Sequence, residues 1–169
     1  MKADEVRELF SYNTWATRRI FDALGTLPAA DYMRDLKSSF ASIHATLAHI
    51  VGADRIWLAR WRGESGVGML KGEDVPSLAE LRKLWEQVEA ERTQFLAGLE
   101  DGDLTREIVV KPSGGGQQYI HRLLETLQHA VDHSSYHRGQ IVTMLRQVNV
   151  KPPATGLIGF YRERSSKVA

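Results

Sequence analysis

The sequence of 169 residues contains no cysteine. The chain therefore has no disulfide, no thiol nucleophile of its own and no thiolate metal site, which fits a reducing compartment. Any metal ion must be held by nitrogen and oxygen ligands. A run of about 18 apolar residues that could span a bilayer is also missing, and the N-terminus, M-K-A-D-E-V-R, lacks the uninterrupted apolar segment of a signal peptide. These absences predict a soluble, cytoplasmic protein without a membrane partner.

An excess of charge of one sign is missing too. The 22 Lys and Arg residues against 21 Asp and Glu give a formal net charge of +1, and the arginines are spread through the chain rather than clustered. We therefore expect no broad attraction to nucleic acid and no nucleic-acid partner. The length suits one domain with a real core. Because no repeat or long linker interrupts the chain, the sequence predicts a single domain over residues 1–169.

Apolar residues recur at three- and four-residue intervals in four long segments, as in amphipathic helices. The segments cover residues 6–24, about 40–61, 77–99 and about 120–148. Ser77 with Glu80 three residues later predicts a capping box. Two short β-prone runs around the Pro-Ser-Gly-Gly-Gly stretch at 112–116 predict a small hairpin or a long connection between the third and fourth helices. The expected fold class is all-α, a four-helix bundle, whose sites are built from side chains on facing helices.

Six histidines, all within the second and fourth segments, are the residues most informative about chemistry. At about 100° per residue, His133 and His137 project from one side of the fourth helix, a turn apart, and can share one ion. His129 extends the row, but it drifts about 80° from His137 over two turns, too far along the axis for all three to reach one ion easily. Two ligands make a weak site, so a third must come from another helix.

The second helix offers two candidates for the third ligand, His44 and His49. They lie five residues apart and point about 140° from each other, so at most one of them faces the site. Periodicity does not choose between them, although Ala45, Gly52 and Ala53 around His49 are small enough to let another helix approach. Spacing thus predicts a three-histidine metal site, against the alternative that the histidine row only packs the helix.

Several segments together resemble the DinB/YfiT-like family of metal-dependent bundle proteins. They are YNTWA at 12–16, SSFASIHATLAHI with ADRIWLARW within 38–61, and HAVDHSSYHRGQI at 129–141. The resemblance implies up-down-down-up connectivity, a homodimer, and a divalent metal on three histidines. This family uses the histidine that follows T-L-A, so the resemblance implies His49, His133 and His137 as ligands. It leaves His44 and His129 as structural residues or neighbours of the site.

Other polar residues have two interpretations each. Asn13, in the middle of the apolar stripe of the first helix, is a candidate to bind a metal-bound water or a substrate, or else a buried amide bonded to a neighbouring helix. Asp54, Glu125 and Asp132 could orient an imidazole, although each could equally be a solvated helix charge. Gly156 stands where relatives commonly have Asp, in P-P-A-T-G-L-I. No metal ligand is lost by that difference.

Three imidazoles leave a divalent ion its full charge and at least one open position, as in reactive rather than structural sites. Zinc or nickel is the expected ion, and iron or manganese suits the same ligands. Because members of the wider superfamily use low-molecular-weight thiols, the resemblance implies a thiol-dependent transferase or isomerase acting on a small molecule. The alternatives are a metal-dependent hydrolase and a non-enzymatic, stress-related dimer with a structural metal. The DNA damage-inducible origin of the family name describes expression and not chemistry.

Overall fold

The computed structural model of the chain describes residues 1–111 and 115–165. The helices are α1 (Ala3–Leu24), α2 (Ala29–Met33), α3 (Ile43–Trp61), α4 (Leu78–Ala97), α5 (Leu123–Gln147) and α6 (Leu157–Ser165). Two strands, β1 (Glu107–Val110) and β2 (Tyr119–Arg122), pair antiparallel with Val109 opposite Ile120. The predicted all-α class with a small hairpin is confirmed; part of its Pro-Ser-Gly-Gly-Gly turn, residues 112–114, lies outside the described residues.

The directions of the four long helices follow from two hydrophobic clusters, one at each end of the bundle. The first cluster joins the C-terminal parts of α1 and α5 to the N-terminal parts of α3 and α4, and includes Phe21, Ile43, Leu47, Leu81, Trp85 and Leu145. The second joins the opposite parts of the same helices, and includes Val6, Phe10, Trp61, Val88, Leu96, Leu123 and Leu127. Consequently α1 and α5 run one way and α3 and α4 run the other, which is the up-down-down-up arrangement. None of the helices in the described part of the chain has the length and hydropathy of a membrane span.

Local capping groups explain where two helices begin. The Ser42 hydroxyl accepts a hydrogen bond from the Ala45 amide at 3.1 Å, so α3 begins at Ile43 and not near residue 40. The capping box predicted at Ser77 is present, since its hydroxyl accepts from the Glu80 amide.

The expected start of the fourth helix near residue 120 is wrong, because residues 119–122 pair as β2. His121 therefore lies in a strand and not in the helix that carries the other α5 histidines.

The tail docks on α1 through α6. The Tyr12 hydroxyl donates to the Thr155 carbonyl at 3.0 Å, and the indole of Trp15 donates to Glu163 at 2.9 Å. A Cβ placed on Gly156 would meet no atom of the described residues within 4 Å, apart from its two chain neighbours. The space next to Gly156 is therefore open, and the tail is held by other contacts.

Two glycines in the interiors of α3 and α5 are expected to respond oppositely to the same substitution. A Cβ on Gly52 would lie 2.8 Å from Cβ of Leu70, whereas a Cβ on Gly139 would meet nothing within 4 Å beyond its own helix backbone. Gly52→Ala should lower the free energy of unfolding by about 1–3 kcal/mol through overpacking. Gly139→Ala should raise it by about 0.5–1 kcal/mol through helix propensity. Urea unfolding measures both, and a Gly52→Ala variant at least as stable as the parent would contradict the close packing of Leu70 on α3.

Candidate metal centre

Three histidine side chains converge between α3 and α5, which pack antiparallel. The candidate ligand atoms of His49, His133 and His137 all lie within 4.8 Å of one another. Nε2 of His49 is 3.0 Å from Nε2 of His133. In the described part of the chain, no other His, Cys, Asp or Glu joins this group. The group thus offers three nitrogen ligands on two facing helices.

The other two candidate histidines, His44 and His129, lie outside the group. His44 is buried, with Nδ1 2.9 Å from the Tyr32 hydroxyl and Nε2 3.0 Å from the Gly72 carbonyl oxygen. Both of its nitrogens are therefore engaged elsewhere. His129 is exposed, and its ring centroid lies 5.2 Å from that of Trp57 and 5.8 Å from that of His133. The geometry groups His49, rather than His44, with the pair on α5, a choice that periodicity left open.

The electrostatics of the group favour neutral imidazoles. Burial, together with the nearby His137, lowers the pKa of His49 to about 4. Burial is also the main reason why the pKa of His133 falls to about 3, and the neighbouring histidines add to the effect. Both rings are consequently unprotonated at pH 7. Neither ring therefore carries the second proton that would repel a bound cation.

His137 is oriented by a residue one turn further along α5. Its Nδ1 lies 2.8 Å from Oε1 of Gln140, whose amide nitrogen donates to the Ser39 hydroxyl at 3.3 Å. With the amide oxygen as acceptor, the ring donates from Nδ1 and keeps a free lone pair on Nε2. Sequence reasoning missed this contact. The i, i+3 spacing of His137 and Gln140 is the signal that could have found it.

A short segment between α2 and α3 covers one side of the group. The ring of Phe40 stacks on His49 with centroids 4.1 Å apart and meets His137 edge-on at 5.4 Å. Two residues of this segment, Lys37 and Ala41, have φ values of 58° and 62°. This left-handed backbone conformation costs free energy in residues other than glycine. The Leu36 amide donates to the Ala41 carbonyl at 2.8 Å and closes the turn. The segment thus holds an aromatic wall against two of the three imidazoles.

The residues present fit a divalent transition metal ion. Nδ1 of His133 is buried and has no hydrogen-bond partner in the described part of the chain, while its Nε2 faces another imidazole nitrogen. Two Nε2 atoms so close need a shared proton or a cation between them. Imidazole nitrogen suits zinc, copper, iron and nickel. The donor set therefore favours such an ion over magnesium or calcium, which take oxygen ligands.

Comparison with known proteins identifies the family. The sequence profile of the DinB family matches residues 1–165. The chain belongs to the DinB family. It is 31% identical to Protein DinB of Bacillus subtilis (strain 168), in an alignment that covers 86% of this chain and 87% of that protein. The crystal structure of a DinB-like protein from Bacillus cereus ATCC 10987 matches with a TM-score of 0.72 and 21% identity, covering 90% of this chain and 97% of that one. This second likeness shows that the two chains share a fold.

The other polar residues considered for this DinB-family site make contacts elsewhere. Asn13 is buried, and its Oδ1 accepts a hydrogen bond from Arg138, which is the contact of a buried amide tied to a neighbouring helix. Asp54 pairs with an arginine of α4, and Glu125 accepts hydrogen bonds from Arg122. Asp132 is exposed. The hydrogen-bond partner of His137 is the Gln140 amide oxygen rather than a carboxylate.

A buried ion-pair cluster of Asp54, Glu89 and Arg92 in the bundle core was not predicted from the sequence. Nη1 of Arg92 lies 2.9 Å from Oδ2 of Asp54, and the same guanidinium also pairs with Glu89. Ser134, the residue after His133, has its hydroxyl 3.5 Å from Asp54. Arg138, the residue after His137, is buried and donates hydrogen bonds to Asn13, Thr17 and Tyr12, and burial lowers its pKa. The backbone turns that carry the α5 histidines are thereby anchored in the core.

Removing the Gln140 amide is expected to weaken metal binding without breaking the fold. In Gln140→Ala, His137 loses the acceptor that fixes its tautomer and ring orientation. Loss of such an outer partner typically costs about 10- to 100-fold in metal affinity. A zinc competition titration measures the change, with Gln128→Ala, an exposed position on the same helix, as the matched control. Equal affinities in the two variants would show that Gln140 does not orient a ligand.

The metal-free protein should lose stability on acidification because of the buried imidazoles. An unfolded histidine titrates near pH 6.5, whereas the folded pKa values of His49 and His133 are about 4 and about 3. Below about pH 6.5 the unfolded chain binds more protons than the folded one, so the free energy of unfolding falls as the pH drops toward those values. In chelator, the urea midpoint should fall less between pH 7 and pH 5 for His133→Gln than for the parent. Identical losses would contradict the lowered pKa of His133.

Proposed function

We propose that this DinB-family protein is a metal-dependent enzyme in which His49, His133 and His137 hold one zinc or nickel ion. The observation that carries the proposal is the composition of the group: three histidines, and no fourth candidate ligand within the ranges 1–111 and 115–165. Structural zinc ions are usually closed by four protein ligands, whereas catalytic ones keep a position open. The missing fourth ligand favours a site that takes a small molecule.

Thiol-dependent transfer or isomerisation is the reaction class that we propose for this site. A divalent ion held by neutral imidazoles lowers the pKa of water or of a thiol that binds to it. The protein supplies the orientation: Gln140 fixes the ring of His137, and Phe40 covers one side of His49. Since the chain has no cysteine, the thiol must come from solution as a low-molecular-weight co-substrate.

Calorimetric titration of the zinc-loaded protein with L-cysteine and L-serine tests this proposal, because the two probes differ only in sulfur and oxygen. We expect saturable binding of L-cysteine, no comparable binding of L-serine, and loss of the L-cysteine signal in His49→Ala. Equal binding of the two amino acids, or none, would overturn the thiol proposal. Metal-dependent ester hydrolysis in thiol-free buffer would favour a hydrolase in its place. A metal ion that raises the melting temperature but supports neither L-cysteine binding nor ester hydrolysis would favour a structural role.

A further inference from the structure

A separate cavity lies on the side of α3 next to the hairpin. It is open to solvent on one side, has a volume of about 680 Å³, and is lined by α3, by the connection over residues 64–71 and by β1 with Lys111. This volume is within the range of small-molecule sites. Its apolar lining includes Ile56, Val67, Met69 and Val109. Met69 and Val109 expose 41% and 53% of their surface, so apolar area is available to a ligand.

The charges that line the cavity are mostly positive. Arg60, Lys71 and Lys111 face it, against one acidic residue, Glu64. Lys71 is only loosely paired outside the cavity, with its Nζ 3.9 Å from a carboxylate oxygen of Glu73. An apolar cavity with a cationic rim complements a molecule that has an apolar body and an acidic group.

Arg60 is the cationic residue of the lining that is best placed to bind an anion. Its guanidinium lies 4.8 Å from the centroid of the Trp57 ring and donates one hydrogen bond, from Nη2 to the Lys111 carbonyl at 3.0 Å. No acidic side chain in the described part of the chain acts on the pKa of Arg60. Burial lowers the pKa of Arg60, as expected for a cation that has lost water without gaining an acid. A guanidinium with free donors binds planar oxyanions well.

We infer that this cavity is a binding site for a small amphipathic anion, a molecule with an apolar body and a carboxylate or phosphate-type head group. The head group would pair with Arg60, and the apolar body would lie against Ile56, Met69 and Val109. The three clustered histidines do not line the cavity. Binding should therefore occur with or without a metal ion, and it does not depend on the function proposed above.

The inference is tested by calorimetric or ligand-detected NMR titration with 4-phenylbutyrate and with 4-phenylbutan-1-ol, which share an apolar body and differ in charge. We expect the acid to bind the parent protein and the alcohol to bind about tenfold more weakly, as loss of a charge-assisted contact implies. Arg60→Gln should reduce binding of the acid to the level of the alcohol. Benzylphosphonate, titrated in parallel, distinguishes a phosphate-type head group from a carboxylate by which of the two acids binds more tightly.

Three further variants locate the effect. Arg55→Gln makes the same substitution on the same helix, but Arg55 faces a different cavity, beside Leu84 and Glu91, so this variant should bind the acid as the parent does. Val109→Glu adds a negative charge at an exposed position of the lining and should abolish binding of the acid. His49→Ala should leave binding unchanged. Absence of binding to the parent, equal binding of the acid and the alcohol, or equal effects of Arg55→Gln and Arg60→Gln would each overturn the inference.

Discussion

His133→Ala is expected to abolish stoichiometric zinc binding. The substitution removes one of three ligands, and its Nε2 is the atom 3.0 Å from Nε2 of His49. Loss of an outer partner alone costs about 10- to 100-fold in metal affinity, so loss of a direct ligand should cost more than that. Competition of the purified variant with a zinc-binding dye measures the change, and circular dichroism verifies that the helices remain.

His129→Ala is the matched control, because the same substitution is made one turn earlier on the same helix. His129 is exposed and lies outside the group of converging nitrogens. Its removal should leave zinc affinity unchanged, apart from any small effect through its ring contact with His133. If both variants bound zinc like the parent, or if both lost it equally, the assignment of ligands would be wrong.

Asp54→Ala is expected to be the most destabilising of the substitutions considered for the bundle core. The carboxylate is 2.9 Å from Arg92, and the side chains expose only 3% and 2% of their surface. Removal of one partner of a buried ion pair leaves an uncompensated charge, at a cost of about 3–5 kcal/mol. Here Glu89 still pairs with Arg92, which places the expected loss toward the lower end of that range. Urea unfolding in the presence of chelator measures this loss separately from metal binding.

Asp132→Ala is the control for Asp54→Ala, because Asp132 is an exposed residue on α5. A surface substitution of this kind changes the free energy of unfolding by no more than about 0.5 kcal/mol. A similarly small effect at Asp54 would mean that the buried pair contributes nothing net to the fold. An unchanged midpoint with a changed urea dependence would instead point to an altered unfolded state.

The bundle and the histidine pair could be predicted from the sequence because both depend on helical periodicity. Apolar residues at three- and four-residue intervals mark the four long helices, and the same period places His133 and His137 on one face. Periodicity could not choose between His44 and His49, because two residues 140° apart on one helix differ only in which neighbouring helix they face. The packing of α3 on α5 makes that choice.

Contacts between distant segments could not be predicted in this way. The stacking of Phe40 on His49 depends on a turn with two left-handed residues, and neither Lys37 nor Ala41 is a residue type that signals such a turn. The start of α5 was misplaced because the pairing of β2 with β1 overrides local helical pattern. The buried pair of Asp54 and Arg92 joins residues that each look like surface charges on their own helix.

The most direct test of the account is the metal-to-chain ratio of the purified protein, measured by elemental mass spectrometry after reconstitution with zinc or nickel and removal of excess ion. A three-histidine site predicts a ratio near one for the parent and near zero for His49→Ala, with both proteins folded. A parent protein that holds no metal after reconstitution would contradict it, and the three histidines would then be packing residues between α3 and α5. Retention of the ion by His49→Ala would contradict the assignment of His49 and place the third ligand elsewhere.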